Sequence, residues 1–534
     1  MGVGVELDQA DALMNAGHIP QAIAILSRII AKKPKESRAL HSLGVANALT
    51  GRHQEAESLL QRAKALKPQS AQILTDLATV LIMLRRDAEA LALLEKACKR
   101  EPDLRLPVFY RGVALTNLRR HDEALAVFER LLQIDPANAV YQQNYATVLS
   151  KLDRFEEAEA IVDRLLVRGG PTRELMPLKY VAVANRENFP EALNILDHFI
   201  GRTPDHVEAV LYRGYLNLLR GKLLEGWSDY EARLRRPGIS TLPAYDESDV
   251  PHWHGEPIQG RSLLVYSEQG LGDLLLMSRY IPLLVVRGAE VIFQVPALMT
   301  PILRTLSDRV RYVDAIPTDN RPDYQIPLIS LPHRFKTELS TIPPTPYLFA
   351  DTAKVAYWRD VIGTQGLKIG LAWQGNPDFA QDTARSIPLR DFYPLSQIPG
   401  VRLISLQKNH GLEQLADLPG EMTIETLDSS GTDGFVDAAA VMRNLDFVVS
   451  CDTAIANLAG ALGVEGCVAV PHLADWRWLF DVERSPWFPT LRVCRRGKTS
   501  SWHGVVEQIC RHIELTLSPD AARLPMDRNK EQTG

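Results

Sequence analysis

Small and apolar side chains return along the first part of the chain at a fixed spacing. Ala22, Ala56, Ala90, Ala124, Ala158 and Ala192, continued by Gly226, stand 34 residues apart. A second column is small at Ala10, Gly44, Ala78, Gly112, Ala146 and Gly214, interrupted by Tyr180. A third, Leu26, Leu60, Leu94, Phe128, Val162, Leu196 and Tyr230, follows the first by four residues and so shares its helical face. Small residues let two helices of a pair approach, and the apolar column fills the space between them. Pro34, Pro68, Pro102 and Pro136, then Pro171, Pro204 and Pro237 with one-residue slips, fall at the joints, where proline ends one helix or starts the next. The pattern predicts an α-solenoid of about seven helix pairs over residues 1–237.

Residues 238–260, rich in Pro, Gly, Ser and Asp, break the repeat and read as a linker. From Arg261 the period changes. Short β-branched or apolar runs at 263–266, 291–295, 310–313 and 324–328 alternate with helical segments, and a second series follows the proline-rich 341–346 at 369–373, 403–406, 447–449 and 468–470. This predicts two α/β lobes, residues 261–345 and 346–517, each built on a mostly parallel sheet, with a cleft between them. The polar residues 518–534 read as a disordered tail.

Composition narrows the class without choosing the chemistry. With 46% hydrophobic and 23% charged residues the chain has the make-up of a globular protein. A net charge of -5 supplies no general attraction to nucleic acid or an anionic membrane, so neither is expected as a partner. The five cysteines are odd in number and form no C-x-x-C pair, which argues against a disulfide framework or zinc site and suits a reducing cytoplasm. Glu6 and Asp8 stand where a signal peptide would be basic, and no run is long enough to span a membrane.

Candidate chemistry lies at strand ends. Gln269, Gly270 and Gly272 form a turn between a strand and the helical segment 274–286, and Asp273 opens that segment. Ligands bind at this edge of open α/β sheets. Taken alone, Asp273 reads as a carboxylate satisfying first-turn amides. In the second lobe Gln374, Gly375 and Asn376 follow a strand, and Arg385 offers a fork suited to phosphate. Asp452, Thr453 and Ala454 end another strand and open a small-residue helix containing Asn457. Thr453 and the adjacent amides make an anion site reinforced by the helix dipole. Asp452 orients the loop, accepts from a sugar hydroxyl or caps. Gln374, Gln407, Lys408 and Trp476 are candidates to line a pocket for the ligand. His252 and His254 lack partners at ligand spacing and read as packing residues, and no Asp-x-Asp pair suggests a metal. A dinucleotide fingerprint at Gly270 and Gly272 fails because Leu275 occupies the third glycine position.

The repeats resemble the tetratricopeptide repeat family, which implies a right-handed superhelix whose concave face holds a protein or peptide. Gly270-Leu271-Gly272-Asp273, Gly375-Asn376-Pro377 with Arg385, Ser405-Leu406-Gln407-Lys408, Asp452-Thr453-Ala454 and Asp475-Trp476-Arg477-Trp478 resemble the heptosyltransferase (family 9) glycosyltransferases that follow such repeats in bacterial proteins. That resemblance implies a GT-B fold of two Rossmann-like lobes, with the acceptor on the first and a nucleotide-sugar co-substrate on the second. It makes Asp273 the base, and puts Arg385 and the 452–454 loop on the donor diphosphate. The implied reaction is inverting and metal-independent, with no cofactor; the layout is similar to protein glycosyltransferases, including those acting on flagellin. Asn457 stands where relatives carry histidine, and Ala454 replaces a glycine. The alternative expectation is therefore a non-catalytic repeat scaffold with a degenerate transferase region.

Overall fold

The computed structural model describes residues 2–170, 172, 175–235, 245, 249–317, 321–379, 382–427, 434–498 and 501–517. The expected tail, Pro171, Pro237 and most of the first part of the expected linker lie outside them. The chain divides into two compact units, Met1–Arg202 and Thr203–Gly534.

The first unit is helical, from Val3–Asn15 and Ile19–Lys32 to Leu175–Asn185 and Phe189–Arg202. The second helix of each pair buries one stripe, as in Ala22, Leu26 and Ile29, or Ala56, Leu60 and Ala63. Those positions fall at i, i+4 and i+7, the apolar face of an amphipathic helix. The columns meet in space as their spacing predicts. A Cβ on Gly44 would stand 2.6 Å from Leu60 Cγ, and one on Gly112 would stand 2.7 Å from Phe128 Cζ. Each glycine is small because the knob sixteen residues later fills its place. Tyr180, the interruption, is buried. A further column comes from the backbone: Gly17, Gly51, Arg85, Arg119, Asp153 and Glu187 all have positive φ at the turn inside each pair.

The second unit begins with one more helical pair, Val207–Leu219 and Leu223–Tyr230, and a 3-10 turn, Glu231–Arg235. Two wholly parallel sheets follow. The first comprises β1 (Ser262–Tyr266), β2 (Glu290–Gln294), β3 (Arg311–Val313) and β4 (Tyr324–Pro327), in the order β3-β2-β1-β4. The second comprises β5 (Leu367–Ala372), β6 (Val401–Ser405), β7 (Ile424–Glu425), β8 (Phe447–Cys451), β9 (Gly466–Val470) and β10 (Leu491–Arg495), in the order β10-β9-β8-β5-β6-β7. Every residue of β8 and β9 is buried, as expected of parallel strands covered on both faces. The order reverses between β1 and β4, and between β5 and β8. Loops at such switch points diverge and leave a crevice at the carboxyl edge.

Apolar periodicity missed β7, which has two residues, and the edge strand β10, whose run is interrupted by Arg492. Residues 252–254 fell in the expected linker. Instead they extend the first sheet: His252 bridges Gln325, and the buried Trp253 donates its amide to the Gln325 carbonyl at 2.9 Å. A buried arginine joins the two sheets. Arg279 donates to the carbonyls of Leu276, Pro343 and Trp487 at 2.9, 3.1 and 2.8 Å.

Candidate functional site

The turn after β1 runs into the helix Leu271–Met277, which packs against the helix Ala454–Leu462 that follows β8. Their approach depends on Gly272, where a Cβ would stand 3.0 Å from Asn457 Nδ2. Asn457 is 1% exposed, donates to the Thr453 carbonyl at 2.9 Å, and leaves its Oδ1 buried without a partner.

Asp273 occupies both carboxylate oxygens. Oδ2 accepts from the Gly270 amide at 3.2 Å, the helix-start role that local reading predicts. Oδ1 accepts from Arg477 Nη2 at 2.6 Å, across 204 residues of sequence. Arg477 also donates Nε to Asp475 Oδ1 at 2.9 Å and lies over the Trp476 ring at 5.4 Å. Burial works against its charge, but Asp273, Asp475 and Asp452 outweigh that and hold the guanidinium pKa above its ordinary value. Burial pushes the Asp452 carboxyl up; Asp475 adds to the rise and Arg477 opposes it.

The loops after β5 and β8 are also joined. Arg385 donates Nη1 to the Asp452 carbonyl at 2.9 Å and Nε to Asp382 Oδ1 at 3.1 Å, and lies over the Phe379 ring at 4.7 Å. The Gly375 amide donates to Ser386 Oγ at 3.1 Å, and a Cβ there would strike Arg385 Nη2 at 2.5 Å. Thr453 is the N-cap of its helix by backbone geometry, with its hydroxyl 3.2 Å from Ser450 Oγ rather than on first-turn amides. Gln269, Gly270, Gly272, Asp273, Gly375, Arg385, Asp452, Thr453, Ala454 and Asn457 thus lie on three adjoining loops and the helices they open.

Gln374, Asn376, Gln407 and Lys408 lie to one side. Gln407 Oε1 accepts from the amides of Trp373 and Gln374 at 2.9 and 3.1 Å, while Nε2 donates to the carbonyls of Gln374 and His410, both at 2.8 Å. It clips the loop after β5 to that after β6. Gln374 Oε1 accepts from Gln414, and Asn376 Oδ1 from the Asp378 amide. Lys408 lines a cavity of about 460 Å³ with Trp358, Asp437 and Thr426, and burial lowers its pKa. Cys451 is buried, and desolvation pushes its thiol well up, which leaves no thiolate nucleophile at neutral pH.

Residues 7–71, 49–106 and 118–171 match models of the tetratricopeptide repeat. The helical array carries tetratricopeptide repeats. Protein FlbA of Caulobacter vibrioides is 26% identical over 322 residues, covering 56% of this chain and 53% of that protein. The chain spans about half the length of that relative. Among solved structures it is similar to a tetratricopeptide repeat protein from Parabacteroides merdae, 15% identical, covering 45% of this chain and 94% of that one, with a TM-score of 0.39. It is also similar to PilF of Pseudomonas aeruginosa, 18% identical, covering 38% and 92% of the two chains, with a TM-score of 0.33. No helix among the described residues is long and apolar enough to cross a membrane.

Sequence reasoning noticed Asp475 and Arg477 only as parts of a motif and Tyr230 only as a member of a repeat column. Tyr230 stands in the third repeat column, yet it lies beside Asp273 and Asp475. Burial foremost, with those two carboxylates, pushes its hydroxyl up to about 12. The available signal was position: Tyr230 closes the last repeat before the α/β region.

Proposed function

We propose that the chain is an inverting, metal-independent glycosyltransferase of the GT-B type, moving a sugar from a nucleotide donor to a protein acceptor recruited by the tetratricopeptide array in the cytoplasm. Flagellin is one acceptor of the right kind. One observation carries this reading: at the order-reversal points of two parallel sheets, the loops after β1, β5 and β8 carry Asp273, Arg385 and Asp452, with Arg385 bonded to the Asp452 carbonyl and Asp273 paired to Arg477 from the loop after β9. Inverting transfer needs a base for the acceptor hydroxyl proton and a positive, preorganised environment for the departing diphosphate. Asp273 is the base in this scheme, its Oδ1 released from Arg477 as the acceptor enters. Arg385, the Gly375 turn and the amides of the helix opened by Thr453 receive the diphosphate. The nucleoside lies towards Gln407 and Lys408.

A second reading, a non-catalytic scaffold, draws on the occupied state of Asp273. Both its oxygens are bonded, and Asn457 adds no proton carrier beside it. Incubation with a panel of nucleotide sugars separates the two: release of nucleoside diphosphate that Asp273→Ala abolishes supports transfer, and no turnover of any donor supports the scaffold.

A further inference from the structure

The turn that presents Asp273 is gripped from the last helical pair. Arg233 donates Nε to Glu268 Oε2 at 3.0 Å and Nη2 to Oε1 at 2.6 Å, a bidentate pair whose side chains are 2% and 3% exposed. Glu268 Oε1 also accepts from the Ile329 amide at 3.1 Å, just beyond β4. Glu231 closes the ring, accepting from Arg233 Nη1 and from Ser330 Oγ, each at 2.7 Å. The Arg233 guanidinium also lies over the Tyr230 ring at 5.4 Å. Gln269 has φ +122°, a strained conformation for a residue with a Cβ. Such strain persists only where the surroundings over-determine it.

A buried ion pair gives little net stability over apolar residues of similar volume, so stability alone does not account for this ring. We propose that Arg233 is a positioning residue: by holding Glu268, the neighbour of Gln269, it fixes the strained turn in the conformation that aims Asp273 into the site. The proposal rests on the transferase reading. It makes the terminal helical pair part of the catalytic apparatus as well as the end of an array.

The test uses the full chain carrying Glu268→Gln, which preserves shape, and Arg233→Lys, which keeps the charge but loses the fork. A misplacement of about 1 Å costs on the order of 10²-fold, so kcat is expected to fall by about that factor in both variants. The donor KM is expected to stay within about twofold, since the donor is held by the other sheet. Unchanged kcat in both variants, or a donor KM that rises as kcat falls, overturns the proposal. Amide hydrogen exchange gives an answer without turnover. Faster exchange confined to residues 267–274 in Glu268→Gln and Arg233→Lys supports the grip. Unaltered exchange there, or acceleration throughout the unit, overturns it. A wild-type chain that turns over no nucleotide sugar refutes the transferase reading, and the exchange result then decides the grip by itself.

Discussion

Asp452 and Asp273 show how two carboxylates on neighbouring loops differ by environment. Burial raises the Asp452 pKa, so the folded chain holds that proton to higher pH than the unfolded chain. By linkage this lowers stability above the ordinary carboxylate value of 3.8 and ceases to do so below it. Asp452→Asn is therefore expected to melt above wild type at neutral pH, with the gap closing as pH falls towards 3.8; a gap that widens on acidification contradicts the assignment. Arg477 keeps its two direct partners, Asp273 and Asp475, in that variant. Asp273 was legible in the sequence because glycines, a strand and a helix start converge on it. Its partner was not, since nothing local to residue 273 points to an arginine 204 positions away. Glu268, one of the residues in the same turn, drew no attention because a single buried carboxylate has no sequence signature until Arg233 is seen against it.

Helix packing in the array follows from side-chain size, and the second column makes that testable. Gly112→Ala places a Cβ 2.7 Å from the Phe128 ring, and overpacking of this kind costs about 1–3 kcal/mol. Adding Phe128→Leu is expected to recover part of the loss in chemical denaturation; additive losses would mean that the two residues do not meet. The backbone column gives the opposite sign. Arg85 is exposed at φ +64°, and Arg85→Gly is expected to stabilise by about 0.5–1 kcal/mol, the left-handed cost of a Cβ less glycine's extra entropy in the unfolded chain. That column was invisible beforehand because arginine, aspartate and glutamate share it with glycine. The sheets were legible where strands are long and apolar, as in β8 and β9. They were not legible at β7 and β10, where brevity and charge at a sheet edge erase the pattern.

At the scale of the molecule, a tetratricopeptide array precedes a unit in which one helical pair and two parallel sheets pack together. Trp227 of the helical pair stands 5.0 Å from Trp476 at 79°, and the Tyr215 hydroxyl donates to the Ala474 carbonyl at 2.6 Å, close to Asp475 and Arg477. The repeat period extends through this pair, so sequence columns alone assign it to the array, while its packing assigns it to the sheets. Period reports local helix geometry; it carries no record of what a helix packs against. Sugar transfer at the loops around Asp273 is tested by donor turnover of the purified full chain and of Asp273→Asn, with melting curves to confirm folding. Release of nucleoside diphosphate from one nucleotide sugar is expected, reduced by about 10²- to 10⁴-fold in a variant that melts as a folded protein. Equal turnover by the two proteins, or none by wild type with any donor, would contradict it.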